Sequence, residues 1–184
     1  MSDTPVASQQ AETEPAQPVL VAVDFSDDSR AAVVWACQFA ECVGAQLILL
    51  HVVHDPASGP GFYRYDEQVE LLPIQDVASA MMDQFRDEMI DANPGLDVLQ
   101  SAETRLIDGL PPGRIVEIAE QLDARLIVIG SRGMTGLTHL MLGSVAERVV
   151  ELSARPVVVV KDKSRMIGKK LKKKNWKKKN KAGK

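Results

Sequence analysis

The sequence predicts an α/β domain built on a five-stranded, largely parallel sheet with helices on both faces. Apolar runs of strand length alternate along it with amphipathic segments of helix length. Four of the five runs are near-continuous β-branched or leucine stretches, as strands buried on both faces are. Turn and cap residues mark each change of period.

The predicted strands are VLVAVDF (19–25), QLILLHVV (46–53), LQSAETRLID (99–108), RLIVIG (125–130) and PVVVV (156–160). The third alternates polar with apolar residues and is expected to be the more exposed one. Residues 26–28 precede the first helix and Gly44 follows it; Asn93, Pro94 and Gly95 close the second; Pro111 and Pro112 open the third. The fourth helix begins at SVAE, where Ser144 and Glu147 have capping-box spacing, and stops before Pro156. The order βαβαβαβαβ implies right-handed crossovers and helices on either side of the sheet. Residues 54–75 form a long Gly-, Pro- and aromatic-bearing connection, readable either as a cover over a ligand or as a solvated insertion.

With 184 residues, 45% of them apolar, the chain accommodates one domain with its own core plus tails. Residues 1–17 read as an acidic, polar, disordered leader, 18–162 as the domain, and 163–184 as a lysine-rich disordered tail. Charge is segregated accordingly. From residue 161 onward there are 12 Lys and one Arg against Asp162, a net +12; the first 160 residues hold nine Arg, no Lys and 24 acids, a net −15. No apolar run reaches the length of a membrane span and the leader lacks a signal-peptide core, so a cytoplasmic location is expected. Cys37 and Cys42, five apart, match neither a redox pair nor a zinc site and are assigned no chemistry.

The stretch GSRGMTGLTHLMLGS, residues 130–144, follows a buried-type strand and leads into a helix. Gly130, Gly133 and Gly143 stand three and then ten positions apart, with Ser144 next. Glycines admit a polyphosphate close to backbone N–H groups, and a helix N-terminus adds oriented donors and partial positive charge. Each glycine alone is equally consistent with a strand end or a turn; together, after a strand, they point to a phosphate-binding loop. Arg132 is the one cation in the segment. In an open α/β sheet such a site lies beyond the carboxyl ends of the strands, where Asp24 also emerges.

With these residues in place the chain resembles the universal stress proteins, in the branch that binds ATP. That family's motif of Gly, two residues, Gly, nine residues, Gly and then Ser or Thr is matched by Gly130, Gly133, Gly143 and Ser144, and the resemblance covers residues 18–162. It implies an adenine nucleotide alpha hydrolase-like fold with strand order 3-2-1-4-5 and a homodimer formed through the last strand. It implies ATP at the carboxyl ends of strands one and four. Mg2+ bridging the phosphates is expected because the protein groups near the polyphosphate are mostly neutral donors. By position, Asp24 matches the acidic residue near the adenosine, Ala22 and Val23 line its pocket, Val52 offers backbone contact to adenine, and Ile129 closes the pocket beside Gly130. Arg132, Gly143, Ser144 and Val145 complete the candidate set, the last three as backbone donors. Ala146 departs from members that carry a second hydroxyl there.

No lysine precedes residue 161, so no Walker-type Gly-Lys-Ser/Thr loop exists, and no general base is apparent. His51 and His54 read as polar surface; His139, inside the glycine segment, is the one histidine that merits a test. The expected function is an ATP-binding stress-response regulator, at most a slow ATPase. A true adenine-nucleotide hydrolase of the same fold and an interaction module with a vestigial site are the alternatives. The tail, with Trp176 among its lysines, is readable either as a solvated solubility tail or as a tether to an anionic membrane or a nucleic acid.

Overall fold

The computed structural model of the chain describes residues 17–54, 73–134 and 142–162. Its strands are β1 (Val19–Ala22), β2 (Leu47–Val53), β3 (Glu103–Asp108), β4 (Leu126–Gly130) and β5 (Val157–Val160). They form one all-parallel sheet in the order β3-β2-β1-β4-β5, the expected order. The helices are α1 (Asp27–Val43), α2 (Ile74–Ala92), the one-turn α3 (Asp97–Gln100), α4 (Pro111–Gln121) and α5 (Ser144–Leu152).

Strand alternation sorts the core into two layers. Val19, Val21 and Val23 face α1 and α2, meeting Ala36, Met82 and Phe85; Leu20 and Ala22 face α4 and α5, meeting Ile115, Ala119 and Val149. Leu20, Ile48, Leu49 and Ile127 are sealed from solvent, each burial worth about 1.5–3 kcal/mol. Cys37 lies in the first layer, where burial pushes its thiol up to about 12, so it acts as a small apolar group.

Helix α1 begins at Asp27, inside the 26–28 segment expected to precede it. Ser26 caps it, its hydroxyl accepting from the Ser29 N–H at 3.2 Å, and the chain leaves at Gly44 in the left-handed region. Pro111 and Pro112 fill the first turn of α4, where missing N–H groups cost nothing.

Three elements differ from expectation. Pairing of the first strand stops at Ala22, not at residue 25: Phe25 has φ +65°, which turns the chain into α1, and its ring sits 4.5 Å from that of His51. The third strand begins at Glu103, because residues 97–100 coil into α3 and bury Leu99 beneath α1. At α5 the cap is Gly143, with φ −66° and ψ 147°; Ser144 is already inside the helix, and no capping-box hydrogen bond forms. The shift of one residue takes the Ser144 side chain out of capping duty. β5 stands at the sheet edge and is only partly buried, with Val159 37% exposed. Most of the 54–75 connection, His139 and the lysine-rich tail lie outside the described residues.

Candidate functional site

β1 and β4 are neighbours, with Ala22 level with Ile129. Beyond these residues the chain departs to opposite faces of the sheet, β1 into α1 and β4 toward α5, and a crevice must open between them. A cavity of about 640 Å3 fills it, within the size range of small-molecule sites. Every residue singled out above as a nucleotide contact lines it: Ala22, Val23, Asp24, Val52, Ile129, Gly130, Arg132, Gly133, Gly143, Ser144 and Val145. Sequence reading missed Pro111 and Ile115 on α4, which form the far wall, and Leu142 and Glu147 at the rim.

One half of the cavity is an apolar slot. Ala22, Val23, Val52 and Ile129 are each under 10% exposed. The Val52 backbone has a particular place in this slot. Alternate residues of a parallel strand bond to alternate sides, and the Leu50 carbonyl accepts from the Val23 N–H at 2.8 Å, so Val52 also presents its N–H and C=O toward β1. β1 has already ended there, and the Val23 carbonyl is taken by His51 Nδ1 at 2.7 Å. Val52 thus offers a donor and an acceptor on one edge of an apolar slot, the pattern that suits a heteroaromatic ring.

His51 is corrected from surface to interior: it is 4% exposed and lines the cavity. Its Nδ1 bears the hydrogen, since the partner is a carbonyl. Burial lowers its pKa below the usual histidine value, against the Val23 carbonyl and Asp24, which favour the cation, so the ring is neutral at pH 7.

The other half is polar. The first-turn N–H groups of a helix lack intrahelical partners. At α5 the Gly143 N–H is engaged, donating to the Ser131 carbonyl at 2.8 Å, so the expectation that it serves a ligand is not met. The N–H groups of Ser144, Val145 and Ala146 precede the first helical bond, Glu147 N–H to Gly143 O at 2.9 Å, and have no partner among the described residues. The Ser144 hydroxyl is likewise uncommitted there. Three amides and a hydroxyl at the positive end of a helix make an anion cradle.

Asp24 lies between the halves. Its Oδ1 accepts from the Ser26 N–H at 3.1 Å and the Ser26 hydroxyl at 2.6 Å, which fixes the carboxylate and leaves Ser26, not Asp24, as the α1 cap. A Cβ on Gly133 would come within 2.9 Å of Asp24 Oδ2, so Gly133 is small to make room for this carboxylate. Gly130 has a different reason. A Cβ there would meet the Asp28 carbonyl carbon and the Ser29 nitrogen at 2.9 Å, so this glycine admits the α1 backbone rather than a phosphate.

Arg132 lines the cavity, and its guanidinium forks onto Asp28, Nε to Oδ2 at 3.0 Å and Nη2 to Oδ1 at 2.9 Å. Asp28 is 2% exposed, and Ser131 Oγ also donates to its Oδ2 at 2.6 Å. Burial alone raises the Asp28 pKa, but Arg132, Ser131 and the Asp162 N–H together hold it below the usual carboxylate range. Asp28 and Ser131 were not legible in the sequence, being 103 positions apart.

Comparison with known proteins bears on the family and the fold. The model of the universal stress protein family matches residues 15–161. The universal stress protein YxiE of Bacillus subtilis is 33% identical over 154 residues, covering 78% of this chain and 97% of the relative. The solved structure of MJ0577, a universal stress protein of Methanocaldococcus jannaschii, superposes with a TM-score of 0.57 at 26% identity, over 81% of this chain and 98% of that one. A universal stress protein solved in complex with cAMP superposes with a TM-score of 0.53 at 25% identity, over 79% and 96%. With the sheet order, the glycine spacing and a family match across the whole described domain in agreement, this chain belongs to the universal stress protein family.

Proposed function

We propose that the chain binds an adenine nucleotide, ATP with Mg2+, in the cavity between β1 and β4, and acts in the cytoplasm as a regulator with slow or no hydrolysis. The observation that carries this is the pairing of two unlike half-sites in one cavity: an apolar slot edged by the Val52 backbone, and the first-turn amides of α5, without a partner among the described residues, with Ser144. The first suits the base, the second the phosphates, and Asp24 between them is a ribose-hydroxyl acceptor. The complex of a relative with cAMP supports the nucleotide class.

Charge argues for the metal and against fast chemistry. Asp24 and Glu147 both line the cavity and Arg132 is neutralised by Asp28, so a triphosphate there needs a cation of its own to offset its charge. Bound Mg2+ would supply that charge on the phosphate oxygens. His51 donates to a carbonyl and is no proton acceptor at Nδ1. Turnover is therefore expected below about one per minute, against 1–1000 per second for typical enzymes.

Calorimetry of the wild-type chain and of Asp24→Asn with Mg-ATP tests the reading. The wild type should bind and the variant should bind at least about tenfold more weakly, as expected when a hydroxyl loses a charged acceptor. Equal affinity removes Asp24 from the site.

Assembly and the tail follow from the edges of the domain. β5 is an open edge carrying exposed Val159, beside exposed Val150 and Leu152 on α5, and pairing with a second copy would cover all three. The lysine-rich segment is read as a tether for anionic membrane or nucleic acid. A chain ending at Asp162 should remain a dimer by sedimentation and lose salt-sensitive binding to anionic vesicles and RNA. A monomer contradicts the first reading, and undiminished binding contradicts the second.

A further inference from the structure

We propose that Asp28 is the positioning residue for the phosphate half of the cavity, acting through Ser131 and Arg132; this deepens the nucleotide reading and rests on it. Asp28 does not line the large cavity. Its carboxylate instead gathers four donors from distant segments: Ser131 Oγ, the two Arg132 nitrogens, and the Asp162 N–H at 3.3 Å.

A buried ion pair is a poor device for stability alone, because desolvation cancels much of its attraction. What this one does is hold together the first turn of α1, the start of the β4–α5 connection and the chain leaving β5. From there the order is handed on to the cavity. The Ser131 carbonyl accepts the Gly143 N–H, which sets where the Ser144, Val145 and Ala146 amides begin. The Arg132 carbonyl lies 3.3 Å from the Ser26 hydroxyl, the group that grips Asp24. Arg132 also leads directly into Gly133, whose missing side chain gives Asp24 its room. One carboxylate thus registers both ends of the glycine connection against the α1 side of the crevice. The apolar slot depends on none of these contacts, since Ala22, Val52 and Ile129 are set by strand pairing.

That asymmetry gives a readout that a merely structural role would not move. Adenine probes the slot and Mg-ATP probes the whole cavity, each titrated by calorimetry into wild type, Asp28→Asn and Ser131→Ala, with circular dichroism confirming the fold. Asp28→Asn should weaken Mg-ATP by at least about tenfold and adenine by less than about threefold, collapsing the ratio of the two affinities. Ser131→Ala removes one donor and should shift the ratio the same way by less; it carries the test if Asp28→Asn fails to fold. An unchanged ratio overturns the proposal, as does tighter Mg-ATP binding, which would make the released Arg132 a phosphate ligand that Asp28 restrains. Wild-type protein that binds neither probe overturns the nucleotide reading itself, a result distinct from a ratio that the variants leave unmoved.

Discussion

Gly130→Val should destabilise the fold by at least about 3 kcal/mol, beyond the usual cost of overpacking because the obstacle is backbone. The added Cβ would sit 2.9 Å from both the Asp28 carbonyl carbon and the Ser29 nitrogen, and neither can turn aside as a side-chain tip can. Nor can α1 retreat as a body. Its first turn is tied to the end of β4 by Asp28, through Ser131 and Arg132, and its cap Ser26 is held by Asp24. For a domain of this size the loss corresponds to roughly 6–12 °C in Tm. Gly143→Ala is the matched control. Its Cβ would meet Arg132 Cα and the Ser131 carbonyl at 3.4 Å, an ordinary contact, and a loss below about 1 kcal/mol is expected. Thermal denaturation of the two variants decides the matter: a Gly130→Val protein as stable as the wild type contradicts the close packing of α1 on β4.

Asp28→Asn should cost about 2–4 kcal/mol at pH 7, since it leaves a guanidinium that is only 15% exposed without its counter-ion. The pH dependence has a definite sign. Asp28 has a folded-state pKa below its unfolded value of about 3.9. Its contribution is therefore complete above that unfolded value and is lost as pH falls through the lower, folded-state one. The stability gap between wild type and Asp28→Asn should be constant from about pH 7 to 5 and close progressively below about pH 4. Urea denaturation of both proteins across that range measures it. A gap that stays open at low pH would mean that packing, not the ionised carboxylate, holds this junction.

How far the sequence could be read depends on the range of the interaction. Near-continuous runs such as RLIVIG and QLILLHVV signal buried strands, and caps such as Ser26 and Gly44 signal ends, because both are local effects. The strand order was legible only through the family resemblance, since pairing β1 with β4 joins residues more than 100 positions apart. The glycine spacing marked a connection that lines the cavity but not the reason for each glycine. Gly130 is small for α1 and Gly133 for Asp24, both contacts that exist only once the sheet has formed. The α5 cap was misread by one residue, because Ser144 and Glu147 have capping-box spacing whether or not the helix starts there. The Val52 backbone follows from strand parity once β1 is known to stop at Ala22, and that stop depends on the left-handed turn at Phe25, which no composition rule anticipates. Asp28 reads in the sequence as one of the polar residues 26–28 ahead of the first helix; its four donors come from residues 131, 132 and 162.

A nucleotide held in the crevice between β1 and β4, its phosphates on the first turn of α5, should be visible as bound mass. Native mass spectrometry of freshly purified full-length protein, before and after addition of ATP with Mg2+, tests it most directly. One ATP per chain is expected, retained by the wild type and lost from a folded Gly133→Val variant, in which the added side chain displaces the Asp24 carboxylate. A bare wild-type chain after addition of Mg-ATP, or equal retention by the variant, would contradict it.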